Sequence, residues 1–194
     1  SVAEATERLC EALDRLTDPI LVAHGTAVPA ALHAAQQCQP AGLVLTNGAL
    51  RQLDPALSAI ARLHPVLLRR RIWLRFLASS VALRRVVVNP YVMDRDTVVA
   101  VCEPTIRSQA HRRAQQHFLK EVVQAASKAP AFTGPTMFLW GDNDMLYPSS
   151  ITDTARPEFP RLREVSVPGG RHLHPIERPW FIADEIRNWC AVGL

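Results

Sequence analysis

The most constraining feature of this 194-residue sequence is the stretch 19–32, in which an apolar run meets Gly25 and continues into an alanine-rich segment. The apolar run has the character of a buried strand, and Pro29 stands where the first turn of a helix accepts proline. Ala23 and Ala27 lie two places either side of Gly25, and their small side chains let the two backbones come close. The stretch predicts a strand, a very sharp turn and a helix.

The remaining apolar patterns predict an α/β fold. A short apolar run with the character of a parallel strand occupies 42–45, and further strands are predicted at 136–140 and 163–167. Helical spacing covers 2–16, 28–38 and 179–190, and Pro148 opens another short helix. The last helix is expected to bury Trp180, Ile182, Ile186 and Trp189. Strand, helix and strand in succession form a right-handed crossover, so we expect an open, mostly parallel sheet flanked by helices.

Residues 50–129 have a different character from the rest. Their period is helical, with helices predicted at 55–63, 66–79, 95–102 and 105–126, and an apolar face (Leu67, Ile72, Trp73, Phe76, Leu77) that is typical of a core. Between residues 50 and 135, 14 Lys or Arg stand against five Asp or Glu, a net charge of +9 in a chain whose total is +4. This charge fits a solvated helical surface, or a lid that attracts anionic substrates or a membrane face.

Composition limits the function classes further. The chain is 48% hydrophobic and 21% charged, as in folded globular proteins. No apolar run reaches the roughly 18 residues that an integral membrane segment needs, and no signal peptide opens the chain. The aromatic residues do not interleave with the basic ones, so we expect no nucleic-acid partner. The cysteines (Cys10, Cys38, Cys102, Cys190) contain no C-x-x-C pair, which favours reduced thiols in a cytoplasmic protein over disulfides or a metal site.

Two glycine motifs follow predicted strands, Gly141-x-x-Asp144 and Gly169-Gly170-Arg171-His172. Together with the turn at Gly25, their order resembles the elbow, acid and histidine of the α/β-hydrolase superfamily. The resemblance implies a truncated α/β-hydrolase core over 1–49 and 130–194 with a helical lid inserted at 50–129. It points to Asp144, not Asp142, as the acid.

The resemblance also implies roles for individual residues. Asp144 would accept from one nitrogen of His172 and leave the other nitrogen basic, unless the two form only a structural pair. His24 would pack at the elbow and line the pocket. Thr26 would offer its backbone N–H as an oxyanion donor. His174 and Glu177 would orient the last loop and helix.

The sequence departs from the family in two places. The elbow form that it resembles is G-H-S-x-G/A, but Gly25 stands in the position of the nucleophilic serine. Glycine accepts the strained backbone of an elbow, so replacing the serine causes no steric strain. The replacement does, however, remove the nucleophile. Family members also carry strands and an oxyanion loop before the elbow, and here a single helix precedes it. Losing an oxyanion donor costs roughly 100- to 1,000-fold in rate.

These departures leave three functions open, none of which needs a metal or cofactor. The first is a non-hydrolysing module that binds an apolar or acyl-type small molecule. The second is a cofactor-independent lyase, decarboxylase or cyclase that uses His172 and Asp144 as an acid–base dyad. The third is hydrolysis by a water held at Gly25. We also expect the elbow strand to be a sheet edge, covered by a homo-oligomeric partner or by a complementary N-terminal chain.

Overall fold

Four parallel strands form the sheet in the computed structural model, which describes residues 1–50, 86–89 and 109–192. They are β1 (Ile20–Gly25), β2 (Gly42–Gly48), β3 (Thr136–Gly141) and β4 (Leu162–Val167), and they lie side by side in that order. All three pairings are parallel. The four predicted strands are confirmed, and each is one to three residues longer than the sequence indicated.

The described helices are α1 (Val2–Leu13), α2 (Val28–Cys38), α3 (Gln109–Ser127), α4 (Ser150–Ala155), α5 (His174–Glu177) and α6 (Pro179–Ala191), with a 3-10 turn at Arg156–Glu158. The helices predicted at 55–63, 66–79 and 95–102, and the apolar face that begins at Leu67, lie outside the described residues. None of the helices in the described part of the chain is long and apolar enough to cross a membrane.

The strand order explains how the helices are distributed. Because the strands follow one another in sequence, right-handed crossovers place the connecting helices on one face of the sheet. On that face α2, α3 and α4 pack over Leu43, Leu45, Phe138 and Trp140. On the other face, Val44, Met137 and Leu139 meet Ile182 and Trp189 of α6. The described part of the chain therefore has three layers, with the carboxyl ends of its four strands at one edge.

The buried face of α6 corrects one expectation. Ile182 and Trp189 are buried and Ile186 packs against them, but Trp180 is 76% exposed. At 100° per residue, Trp180 lies about half a turn away from Trp189, so it points to the opposite side of the helix. The prediction that Trp180 belongs to the buried face is wrong.

The cysteines correct a second expectation. Cys10 of α1 and Cys38 of α2 form a disulfide, with their Cα atoms 5.8 Å apart. The two helices pack side by side, which brings together residues that are 28 positions apart in sequence. Reduced thiols were therefore the wrong expectation for this pair, and the argument for a cytoplasmic location that rested on them fails. Cys190 is a free, half-buried thiol, and Cys102 lies outside the described residues.

Helix α3 belongs to the predicted lid range but packs into the helical layer of the core. Val122 and Ala126 are buried there, and Glu121 accepts a hydrogen bond of 2.8 Å from the backbone N–H of Val2 at the start of α1. The lid over 50–129 and its boundaries stay a prediction.

Candidate active site

The turn between β1 and α2 is built around Gly25. Its φ is +61°, in the left-handed region that glycine enters without steric cost. The carbonyl of Gly25 accepts a hydrogen bond of 3.2 Å from the N–H of Ala49, just after β2. This bond holds the turn against the neighbouring strand end. The strand, sharp turn and helix predicted from the sequence are confirmed.

Gly25 lies beneath the imidazole of His172. A Cβ atom built on Gly25 would be 3.6 Å from Cε1 and 3.7 Å from Nε2 of that ring. A side chain at position 25 would therefore begin in van der Waals contact with the Cε1–Nε2 edge of the ring. Glycine places no hydroxyl, thiol or carboxylate there.

Two loops bring Asp144 and His172 together after β3 and β4. Their backbones touch, since a Cβ on Gly141 would lie 2.5 Å from the carbonyl oxygen of Gly170. The N–H of Asn143 also donates to that carbonyl at 3.0 Å. Across this junction Nδ1 of His172 lies 3.0 Å from Oδ2 of Asp144. The Asp144 side chain is fully buried, whereas 15% of the His172 side chain is exposed.

Asp144 is held by two further donors. The N–H of Leu146 donates to Oδ1 at 2.7 Å, and Nδ2 of Asn47 donates to Oδ2 at 2.5 Å. Burial opposes the charged form, but the hydrogen bond and charge of His172 and the bonds from Asn47 and Leu146 lower the pKa of Asp144 below its usual value. The carboxylate is thus ionised at neutral pH. Asp144 contacts Nδ1 of His172, so the other ring nitrogen, Nε2, is the one on the side of Gly25.

Asn47 was missed by the sequence analysis. It is the residue before the last in β2 and has a φ of +32°, and its Oδ1 accepts a hydrogen bond of 2.8 Å from the N–H of Gly141. Through its amide it joins the ends of β2 and β3 to Asp144. The available signal was an Asn-Gly pair at the end of the strand next to the elbow strand, which is where parallel strands present polar groups.

A second polar cluster adjoins the first. His24 and Thr46 are register partners on β1 and β2. Oγ1 of Thr46 lies 3.2 Å from Nδ1 of His24 and 3.2 Å from Nε2 of His174. Burial, with the charge of His172 next, lowers the pKa of His24 to about 4, and burial likewise lowers the pKa of His174 to about 4. Both imidazoles are therefore neutral at neutral pH.

Two rings pack on His172. The ring centroid of His24 is 4.6 Å from that of His172, and the Tyr147 ring stacks on His172 at 5.4 Å. Burial, together with the charge of Asp144, raises the pKa of Tyr147 to about 12, so its hydroxyl stays protonated. The backbone carbonyl of Tyr147 accepts a hydrogen bond of 2.8 Å from Nε1 of Trp140 at the end of β3.

The fold and this geometry can be compared with known proteins. No protein-family model and no curated protein sequence matches the chain. Among solved structures, a membrane phospholipase A described as a bacterial virulence factor has a TM-score of 0.78 at 18% identity, covering 98% of this chain and 63% of its own. An α/β-hydrolase fold protein from Burkholderia ambifaria has a TM-score of 0.74 at 16% identity, covering 95% and 72%. A thermophilic esterase from Thermogutta terrifontis has a TM-score of 0.60 at 21% identity, covering 94% and 68%.

The chain has the α/β-hydrolase fold. It is similar to these three proteins over nearly all of its own length but spans only 63% of the phospholipase. In an α/β-hydrolase the carboxyl ends of the strands carry the site. In this chain Gly25 is the last residue of β1, and Asp144 and His172 follow β3 and β4 at that edge.

A short segment at 86–89 is bonded to the loop that carries His172. The carbonyls of Val86 and Val87 accept from the N–H of Leu173 at 2.8 Å and from Nη1 of Arg171 at 3.0 Å, on either side of His172 in sequence. Oε1 of Glu177 accepts from the N–H of Asn89 at 2.7 Å. Glu177 thus joins this segment to α5 of the α/β-hydrolase core.

Two other candidate residues from the sequence are Thr26 and Asp142. Thr26 follows Gly25 in the turn and is half-buried, and its role as an oxyanion donor stays a prediction. Asp142 is exposed, unlike Asp144. Among the residues that the structure describes, no cluster of His, Cys, Asp or Glu has the geometry to hold a metal ion.

Proposed function

We propose that this protein is a non-hydrolysing α/β-hydrolase-fold protein that binds an apolar or acyl-type small molecule at the carboxyl edge of its sheet. The proposal depends on one observation, the position that a Cβ atom on Gly25 would have next to His172. A Cβ there would lie 3.7 Å from Nε2 of His172, the position from which a nucleophile exchanges its proton with a basic imidazole. Gly25 has no atom to serve as that nucleophile.

The chemistry that remains favours binding. Covalent hydrolysis requires an oxygen or sulfur next to Nε2 of His172, and the hydroxyl of Thr26 is attached one residue beyond the point that faces the ring. The α/β-hydrolase-fold proteins similar to this chain include an esterase and a phospholipase A. Those names support an acyl-type ligand, and the backbone N–H of Thr26 is the proposed donor to its carbonyl oxygen. His24 is proposed to line the pocket.

A second candidate is a cofactor-independent enzyme in which His172 and Asp144 act as an acid–base dyad. The observation that favours it is the 3.0 Å contact between Nδ1 of His172 and a fully buried carboxylate. In a lyase, decarboxylase or cyclase, Nε2 would take a proton from the substrate and return it to the product. In a water-activating hydrolase, Nε2 would take the proton of a water molecule that occupies the space above Gly25.

The decisive experiment restores the missing hydroxyl. Gly25→Ser and Gly25→Ala both place a Cβ at a left-handed backbone position and differ only in the hydroxyl, so the second is the matched control for the first. A fluorophosphonate probe reports on an activated serine, because the serine oxygen bonds to phosphorus as fluoride leaves. We expect labelling of Gly25→Ser, and no labelling of wild type, of Gly25→Ala or of the double variant Gly25→Ser/His172→Ala.

The same proteins test turnover. We expect wild type to leave p-nitrophenyl acyl esters intact and to be stabilised against thermal unfolding by a fatty acid or a non-hydrolysable acyl analogue. Ester hydrolysis by pure wild type that disappears in His172→Ala would overturn the binding proposal in favour of the dyad enzyme. Failure of Gly25→Ser to react with the probe would show that residue 25 does not occupy the nucleophile position.

We further propose that a partner covers the open edge of β1. The partner is a second copy of this chain or a complementary chain. Among the described residues β1 pairs only with β2, and unpaired backbone groups on an apolar strand favour pairing with another strand.

A further inference from the structure

We propose that His24 is a positioning residue for His172, because its ring packs on the imidazole and keeps Nδ1 directed at Asp144. The inference rests on the proposed function of His172 as the basic group of the site. It starts from the 4.6 Å separation of the two ring centroids and their interplanar angle of 35°.

The imidazole of His172 needs such support. Among the described residues, the hydrogen bond to Asp144 is the polar contact of this ring. Rotation about either side-chain torsion of His172 moves Nδ1 away from Asp144, and this one bond alone opposes it. Asp144 itself cannot turn, because donors from Asn47 and Leu146 hold its two oxygens. Packing on the ring faces is therefore what restricts the remaining freedom of His172.

His24 is itself held in place. Its Nδ1 contacts the hydroxyl of Thr46, its register partner on β2, and the same hydroxyl contacts Nε2 of His174. A hydroxyl has one proton, so Thr46 donates to one imidazole and accepts from the other. His174 and Thr46 are both buried, so two of these three residues are enclosed by protein.

The neutral state of His24 suits this function. A charged His24 would place a positive charge 4.6 Å from a ring that itself must accept a proton. Burial favours the neutral form instead. A neutral His24 ring packs against His172 and does not compete with it for the negative charge of Asp144.

Two substitutions separate ring packing from hydrogen bonding. His24→Phe keeps an aromatic ring and removes the nitrogen that faces Thr46, whose hydroxyl keeps His174 as a partner. His24→Gln keeps a polar group near Thr46 and removes the ring. The readout is the exchange with solvent of the proton on Nδ1 of His172, followed at neutral pH as a downfield imidazole resonance in ¹⁵N-labelled protein. The resonance is assigned by its loss in His172→Ala, and His117→Gln, an exposed histidine of α3, is the matched control.

We expect His24→Gln to speed this exchange by about twofold to tenfold, the range that an aromatic contact supports, while His24→Phe and His117→Gln exchange like wild type. Unchanged exchange in His24→Gln, equal acceleration in His24→Phe, or absence of the resonance from wild type would each overturn the inference. The measurement uses proteins that keep Gly25, and it requires neither ligand nor turnover. Its outcome is therefore independent of the probe-labelling experiment.

Discussion

His24 and His174 are buried imidazoles beside the carboxylate of Asp144. Burial lowers the pKa of each from 6.5 to about 4. Between about pH 6.5 and pH 4 the unfolded chain binds a proton at each position that the folded protein does not bind, so the free energy of unfolding falls as the pH falls through this window. Asp144 has a lowered pKa, and the stability that it contributes is present above its ordinary value of 3.8 and lost below the window.

We predict that His24→Phe flattens the pH dependence of stability. Wild type should lose on the order of 1 to 3 kcal/mol for each of the two imidazoles between pH 7 and pH 4, and His24→Phe should lose only the share that belongs to His174. Urea unfolding at pH 7 and pH 4.5 measures the difference. His117→Gln, on the exposed face of α3, should behave as wild type. An equal acid loss in His24→Phe would contradict the prediction.

Among individual residues, those that follow a strand at a recognisable spacing could be predicted from the sequence. Asp144 and His172 each come after a glycine motif, and both motifs lie in loops whose backbones touch. Asn47, by contrast, acts through an amide that joins two strand ends to Asp144. The contact of His24 with His174 through Thr46 depends on the register of β1 and β2, and spacing along the chain does not contain that register.

Among the elements, α1 and α2 are joined by the Cys10–Cys38 disulfide. We predict that replacing both cysteines by alanine lowers the free energy of unfolding by roughly 2 to 4 kcal/mol, because the bond restricts the unfolded chain over a loop of this length. Urea unfolding with and without a thiol reductant measures the loss. Wild type should be weakened by reductant, and the Cys10→Ala/Cys38→Ala variant should not respond to it.

Cys190→Ser is the control for this prediction, since Cys190 of α6 is a free thiol. It should keep the sensitivity of wild type to reductant. Equal stability of wild type in oxidised and reduced buffer would contradict the prediction. Because α2 begins directly after the turn at Gly25, the disulfide anchors the far end of the helix that leaves this turn.

Helices and strands could be predicted where a short stretch of sequence determines them. β1, β2 and β3 each contain an apolar run bounded by turn residues, and α2 was predicted residue for residue because Pro29 and Pro40 mark its ends. The failures depend on neighbouring elements. Trp180 was assigned to a buried face that only the sheet could define, and the disulfide depends on how α1 packs against α2.

At the scale of the whole molecule, the main question is which strand pairs with the free edge of β1. Among the described residues β1 has a neighbour on one side only, which is β2. Val22 in the middle of β1 is 49% exposed, whereas Val44, its register partner on β2, is fully buried. Helix α6 covers β2 and β3 on this face and leaves Val22 uncovered. The expectation that the elbow strand is a sheet edge agrees with the strand order of the described residues.

We predict that a second copy of the chain pairs on this edge in solution. Sedimentation of wild type should show a mass that rises with concentration towards that of a dimer. Val22→Lys should reduce this association, since a lysine on an edge strand opposes pairing with another strand. Val192→Lys, which places the same charge at an apolar residue that is 75% exposed after α6, is the control and should associate like wild type. Wild type that stays monomeric at every concentration would exclude the second copy and leave a complementary chain as the partner of β1.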